Sequence, residues 1–338
     1  ALALLRQAQK VLGVGRDKLL SFTDNRQDAA LQAGHFNDFV RTTMVRAALV
    51  RALKARKVLN HRSLAREVMA ALPLSLPEFA KNKSLREGTP AARRTREAME
   101  ELLNYRLYAD LRRGWRFTQP NLEEVGLLQM AYPYAEELGF IEEVREKLFP
   151  RLSPEKVLEA VRFFLDHLRR NLALESSLLT RDGFRDLARR TAEHLDEFWA
   201  IDTDTESPVL ATAFSLEGKG GLSFSRRSRA GRLFGALFEV DLNPEFLRGL
   251  VELLVAHDLL REVEPGLYRI PESALEWRLG DGTPHLDPLR FRGRAEREAN
   301  AYFAQLYQES TELLGRLEAR EHTAQVRSEE REAREERF

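Results

Sequence analysis

The chain has 338 residues, 43% apolar and 31% charged, with a mean hydropathy of −0.42, which fits a soluble globular class with room for two or three domains. The absence of cysteine rules out disulfides, thiolate metal sites and cysteine catalysis within these residues. Lys+Arg and Asp+Glu are both 53, so the net charge names no partner.

No run reaches the roughly 18 apolar residues of a membrane span, and the amphipathic start "ALALLRQAQK" does not read as a leader. The expectation is a cytoplasmic protein without membrane contact. The seven histidines form no H-x-x-x-H pair, so no metal is expected. Arginine outnumbers lysine 44 to 9, a bias that suits nucleic-acid contact, surface ion pairs or simply a GC-rich gene.

In chain order, Leu19, Leu20 and Phe22 read as a buried parallel strand, and Thr23-Asp24-Asn25 breaks it with helix-capping residues. A helix follows, with Ala29, Phe36, Phe39, Val40, Leu49, Val50 and Leu53 at helical spacing. Six basic residues and no acidic one lie between Arg41 and Lys57. A strand feeding a capped helix start directs free N–H groups and a positive dipole end outward, which makes an anion site. The plain alternative is an ordinary α/β corner.

The stretch "LLSFTDNRQDAA" resembles the motif IV block in the second RecA-like domain of superfamily 2 DEAD/DEAH-box helicases. Near the other end, "REHTAQVRSEEREAREERF" is similar to that domain's next block, a His at a strand end followed by Ser-Glu-Glu-Arg opening a helix. A strand-helix-strand unit takes about 30 residues, whereas Phe22 and His322 stand 300 positions apart. Residues 58–319 therefore read as a long insertion. Insertions with wording such as "RGWRFTQPNLEEVGLL" and "SALEWRLGDGTP" resemble those of large bacterial helicases related to a type with a C-terminal cysteine cluster.

The resemblance implies that Thr23, Asn25 and Arg26 contact strand backbone, with His322, Thr323 and Gln325 lining the neighbouring strand end. Arg41 and Arg46 on the basic helix join them as candidates. It also implies ATP and Mg²⁺ for the full-length parent, with a P-loop and an acidic box expected upstream of Ala1 and an arginine finger beyond Phe338. This chain shows none of these convincingly. Gly218-Lys219-Gly220 lacks the rest of a P-loop and reads as a turn. In "SRRSRAGR", Arg229, Gly231 and Arg232 match a finger motif. Serine replaces its glutamine and first glycine, and it precedes the His322 block, so it reads as a chance match. No catalytic residue and no cofactor site is expected in this chain.

Within the insertion, residues 62–113 read as helices, with Thr89-Pro90 as a start. Trp115 and Arg116 form an aromatic-basic cluster suited either to stacking on bases or to anchoring helical layers. Asn121 reads as a helix cap with Glu123 and Glu124 behind it, and "SPEKVLEAVRFFLDHLRRNL" as a helix capped by Ser153 that buries Val157, Val161, Phe164, Leu165 and Leu168. His167 reads as a surface or rim residue.

Residues 201–224 read as a linker or extended loop. A short basic helix, a second helix capped by Asn243 and a hairpin turning at Pro265-Gly266 then make a winged-helix pattern. Glu245, Glu252 and Asp258 argue against that second helix reading DNA. Arg226, Arg227, Arg229 and Arg232, with Phe224 beside them, are the candidate backbone contacts, and equally a solvated face or a contact for an acidic protein. "SALEWRLGDGTP" reads as a short helix stopped by glycines, and Tyr302, Phe303, Leu306, Leu313 and Leu314 as core of a returning helix.

The expected fold class is mainly α: a helical insertion with a winged-helix subdomain, plus a partial RecA-like α/β element formed by the two chain ends. The expected divisions are 1–57 with 320–338 (helicase domain), 58–200 (helical), 201–224 (linker), 225–280 (winged helix) and 281–319 (return). The expected function is a segment of an ATP-dependent helicase or translocase. Its partners are sequence-nonspecific nucleic acid, DNA before RNA, and the remaining helicase domains of the same polypeptide. A non-catalytic scaffold docking a partner protein is the alternative.

Overall fold

A computed structural model describes residues 26–112, 119–290 and 300–309. The chain divides into two compact units, residues 1–40 with 317–338, and residues 41–316. Of the first, the described part is the helical stretch 26–40. The expected strands around Phe22 and Gln325, and their pairing, lie outside the described residues, as does the helix expected from Ser328 to Arg337.

About half of the described chain is helical, with small mixed sheets. The order is α1 (Arg26–Arg56), β1 (Val58–Asn60), α2 (Leu64–Ala71), α3 (Leu76–Phe79), α4 (Pro90–Asp110), β2 (Leu128–Ala131), α5 (Glu142–Leu148), α6 (Pro154–Arg170), β3 (Leu174–Glu175) and α7 (Arg181–His194). It continues with β4 (Phe214–Ser215), α8 (Arg229–Phe238), α9 (Pro244–Ala256), β5 (Arg261–Glu264), β6 (Leu267–Pro271), β7 (Glu276–Leu279) and α10 (Ala301–Glu309). Two 3₁₀ turns, Pro133–Ala135 and Leu138–Phe140, link β2 to α5. No described helix is long and apolar enough to cross a membrane.

The second half of α1 carries buried side chains on all sides, Met44, Val45, Ala47, Ala48, Leu49, Val50, Ala52 and Leu53 among them. A helix covered all round belongs to a core. The unit boundary therefore falls at residue 40 and not at 57. Thr89 caps α4, accepting from the Ala92 amide at 3.2 Å, with Pro90 at the first helical position. Ser153 and Pro154 do the same for α6, and Val157, Val161, Phe164, Leu165 and Leu168 form its buried stripe, as the spacing predicts.

Two sheets punctuate the helices. In the first, β7 runs between β1 and β2, antiparallel to both, and Trp277 stands opposite Leu59 and Met130, fully buried. The expected short helix at "SALEWRL" is thus corrected to a strand. Its alternation of Leu275, Trp277 and Leu279 with Glu276 and Arg278 is too brief to set a period, and pairing on both edges decides it. In the second, β6 is central, parallel to β3 and antiparallel to β4 and β5. The β5–β6 turn has Gly266 at φ +74, the left-handed position that a Pro-Gly turn requires.

The segment 201–224 is not a free linker. Ile201, Val209, Ala213, Phe214 and Phe224 are buried, the Val209 amide donates to the Tyr105 hydroxyl at 2.9 Å, and β4 joins the second sheet. Its polar composition hid these anchors. Asn121 and Glu124 exchange reciprocal amide bonds of 2.9 and 3.1 Å, the expected capping pattern, but the chain makes only a turn there.

Glu123 from that turn is drawn inward instead. Arg169 on α6, with no solvent exposure, donates both terminal nitrogens to the Glu123 carboxylate at 2.8 Å. It also donates to Asp166 at 2.9 Å and to the Tyr132 hydroxyl at 3.1 Å, and that hydroxyl donates to Asp166 at 2.7 Å. The network joins α6 to the turn before β2 and to the residue after it. Gly126 in the same turn has φ +73, and a side chain there would strike the Gly282 backbone, so the 280–290 segment crosses in contact with it.

Removing one partner of such a network strands the other as a buried charge, which costs about 3–5 kcal/mol. Arg169→Met should lower the free energy of unfolding by that amount in urea titration, more than Glu123→Gln, which leaves Asp166 to balance the cation. Burial alone would raise the Asp166 carboxyl, but Arg169 and Arg170 outweigh it and hold it below its ordinary value. A carboxyl depressed in the folded state adds stability above its unfolded value of about 3.9, and that stability is lost as pH falls through the folded value. The melting temperature should therefore drop below about pH 4, and Asp166→Asn should flatten the drop.

Candidate nucleic-acid interface

Of the residues picked out by the sequence, Thr23, Asn25, Trp115, Arg116, His322, Thr323 and Gln325 lie outside the described residues. Arg26 stands at the first position of α1, and its side chain is not described. The others fall into two groups with opposite fates.

Arg46 is an interior residue, 2% exposed, and its expected role as a nucleic-acid contact is corrected. Its Nε and Nη2 donate to Asp110 on α4 at 2.9 and 2.6 Å. Its Nη1 donates to the Tyr307 hydroxyl on α10 at 2.7 Å and to the Pro120 carbonyl at 2.9 Å. The Tyr307 ring lies under the guanidinium at 5.4 Å. Buried this deeply, the guanidinium is out of reach of a phosphate. The signal was present in "MVRAALV", where an arginine interrupts an otherwise apolar run on a helix buried all round.

Arg41 is half-buried. Its Nη1 donates to the Phe198 carbonyl at 2.8 Å, and it lies over the Phe198 ring at 5.6 Å. Burial first, and then the neighbouring Arg106, pull it down to about 10. The carboxylate beside Arg106 is Glu206, which holds it in a two-pronged pair. Arg41 is thus part of the packing between α1 and the 198–206 loop, and the expectation that it grips phosphate is not met. Of the six bases counted between Arg41 and Lys57, Arg51, Lys54, Arg56 and Lys57 are exposed. Lys54 reaches Gln308 at 3.2 Å, and Arg56 pairs with Glu67 at 2.9 Å.

The second group is at the start of α8. Ser228 caps this helix: its hydroxyl donates to the Ser225 carbonyl at 2.9 Å and accepts from the Gly231 amide at 3.0 Å. The same construction starts α7 through Ser177, Thr180 and Gly183, and α4 through Arg86, Thr89 and Ala92. Gly231 is glycine because a side chain there would run into the Ser225 carbonyl. Its match to a finger motif therefore has a local steric cause.

Phe224 is 1% exposed and packs edge-on to Phe164 and Phe234 at 4.9 and 5.3 Å, so it belongs to the aromatic core and not beside the arginines on the surface. His167 stacks against the same ring at 5.5 Å. Arg226 pairs with Asp241 at 2.5 Å on the surface. Arg227, Arg229 and Arg232 are exposed and make no ion pair among the described residues. Arg229 and Arg232, three apart, share a helix face.

These cations stand at the positive end of a helix dipole, and α8 has no acidic residue in its first turn, whereas α6, α7 and α9 carry Glu155, Asp182 and Glu245 there. Each misplaced charge costs about 0.3–1 kcal/mol. The fold gains nothing from the cluster, and an anionic partner would reverse the penalty.

The hairpin arginines are engaged elsewhere. Arg261 pairs with Glu175 at 2.9 Å, and Arg269 donates to the Thr212 carbonyl at 2.7 Å. Gly218 and Gly220, at φ +72 and +71, shape a turn after β4. Among the described residues no group of three His, Cys, Asp or Glu is placed to hold a metal.

Comparison with known proteins found no matching family model, no similar curated protein and no similar solved structure. If Gly231 serves the helix start, Gly231→Ala should lower the melting temperature by several degrees, with a cost of about 2 kcal/mol or more. Arg229→Ala, which relieves the dipole conflict, should leave it unchanged or slightly raised in the same calorimetric scan.

Proposed function

We propose that this chain is a segment of an ATP-dependent nucleic-acid helicase or translocase that grips the sugar-phosphate backbone through an accessory winged-helix module, without a complete ATPase site of its own. Three helices, α6, α8 and α9, with the β4–β6–β5 sheet supply the parts of such a module, and β5–β6 is its wing. The observation that carries the reading is the exposed trio Arg227, Arg229 and Arg232, without an ion pair among the described residues, at a helix start where cations are otherwise unfavourable. Guanidinium groups in that setting bind phosphate without reading bases. DNA is preferred to RNA on the strength of the resemblance at Leu19–Ala30 and Arg320–Phe338. ATP and Mg²⁺ would belong to the parent's other domains.

A second reading, a scaffold module that docks a protein, is favoured by a separate observation. Tyr134 and Phe140, on successive 3₁₀ turns, are 50% and 66% exposed, and Glu136 and Glu137 lie between them. Aromatic side chains rimmed by carboxylates suit a protein surface better than a phosphate backbone.

Fluorescence anisotropy with labelled oligothymidine over a salt series separates the two. The nucleic-acid reading expects binding whose logarithm falls steeply with the logarithm of salt, and a loss of about tenfold or more at low salt in Arg227→Ala/Arg229→Ala/Arg232→Ala. Binding that is absent at low salt, or unchanged by the triple substitution, would overturn it in favour of the docking module.

A further inference from the structure

The larger unit takes up the chain at Arg41, on α1, and releases it at Arg316, soon after α10. These two stretches meet inside the fold. The Tyr307 hydroxyl of α10 accepts from Arg46 Nη1 at 2.7 Å and donates to the Pro120 carbonyl at 2.7 Å, and its ring lies under the guanidinium at 5.4 Å. Next to it, Gln308 accepts from Lys54 at 3.2 Å. One pair of side chains thus closes a path of 261 positions.

The two sides of this contact are built differently. The socket is complete without α10. Asp110 on α4 takes Arg46 Nε and Nη2 at 2.9 and 2.6 Å, the Pro120 carbonyl takes Nη1 at 2.9 Å, and the Gln119 side-chain amide donates to the Thr43 hydroxyl at 2.9 Å. All of these groups lie between residues 43 and 120, and the carboxylate that balances the cation is among them. From α10 the cation receives a phenol and no charge. That helix has nine residues, and its buried side chains are Leu306 and Tyr307. A helix so short does not hold itself in water and depends on what it packs against. Lifting it uncovers two side chains and one face of the guanidinium, while the ion pair with Asp110 stays intact. A buried cation that keeps its carboxylate escapes the penalty of a stranded charge. Segments with few buried side chains open on their own, short of global unfolding.

We propose that α10 is a latch: Tyr307 plugs a socket already assembled around Arg46, and the helix detaches and re-seats as one piece while α1 and α4 stay folded. Seated, it ties the closing stretch of the larger unit to the helix on which the chain enters it, so that displacement of the residues following Glu309 bears on α1 through Tyr307 and Arg46. Released, that tie is gone. The latch does not rest on the nucleic-acid reading.

Amide hydrogen exchange of the whole chain, followed by mass spectrometry on peptides from residues 41–56, α4 and α10, tests it. In the unsubstituted chain α10 should exchange at least about tenfold faster than α4, and low urea should speed α4 without speeding α10. Tyr307→Ala should speed α10 by a further factor of about ten and leave residues 41–56 and α4 within about twofold. Tyr307→Phe, which keeps the ring and loses the hydroxyl, should fall between the unsubstituted chain and Tyr307→Ala. Asp110→Asn damages the socket itself and should speed all three segments. The proposal is overturned if α10 and α4 exchange together with one urea dependence, or if Tyr307→Ala speeds α4 as much as α10; Tyr307 is then an ordinary core residue. Unchanged α10 exchange in Tyr307→Ala overturns it as well. The urea comparison needs no substitution, so it decides the matter even if a variant fails to fold.

Discussion

A guanidinium with no access to water organises this chain. Arg169 cannot stay charged inside a protein without compensation, and its partners come from the turn at 121–126, from Tyr132 after β2 and from its own helix, so satisfying it locks three segments into register. Arg46 repeats the logic elsewhere in the same unit. One cation collects Asp110 from α4, the Pro120 carbonyl and Tyr307 from α10, elements separated by as many as 261 positions in sequence. Such charges add little net stability compared with an apolar core, but they penalise every arrangement in which the partners fail to meet.

Against that interior, the charges on the surface of α8, α9 and the β5–β6 hairpin divide by element. Cations collect at the start of α8, where the helix dipole opposes them, and carboxylates collect along α9 and the hairpin. The packing beneath is indifferent to both. The aromatic cluster of Phe164, Phe214, Phe224 and Phe234, with ring centroids 4.9–5.3 Å apart in successive pairs, holds the helices and sheet together without using a surface charge. The surface charges are therefore not part of that packing, and cations and carboxylates are segregated over it.

Helix starts were the most legible features. Thr89-Pro90, Ser153-Pro154 and Asn243-Pro244 act through hydrogen bonds within three residues, so the local sequence contains all the partners involved. The buried stripe of α6 and the Pro-Gly hairpin turn were readable for the same reason. Burial was less so. Tyr302, expected in the core, is 44% exposed, while its neighbour Tyr307 is buried under Arg46. The choice between them depends on which face α10 presents to α1 and α4. The short strands β1, β3, β4 and β7 were not legible, because two to four residues cannot establish a period and only distant partners make them strands. Of the candidate site, the exposed arginines of α8 were readable; the apolar run around Arg46 signalled its burial, whereas nothing local signalled the packing of Arg41.

The amino-acid sequence by itself determined a mainly helical chain with a Pro-Gly hairpin, where its helices start, and which stretches carry unbalanced charge, since these follow from composition and from interactions a few residues long. The tertiary structure alone decided which arginines are ligands of the interior and which are left to solvent. That choice depends on whether a carboxylate and a carbonyl from remote segments arrive beside a given guanidinium, and the energy of a buried charge is settled by neighbours in space, not in sequence.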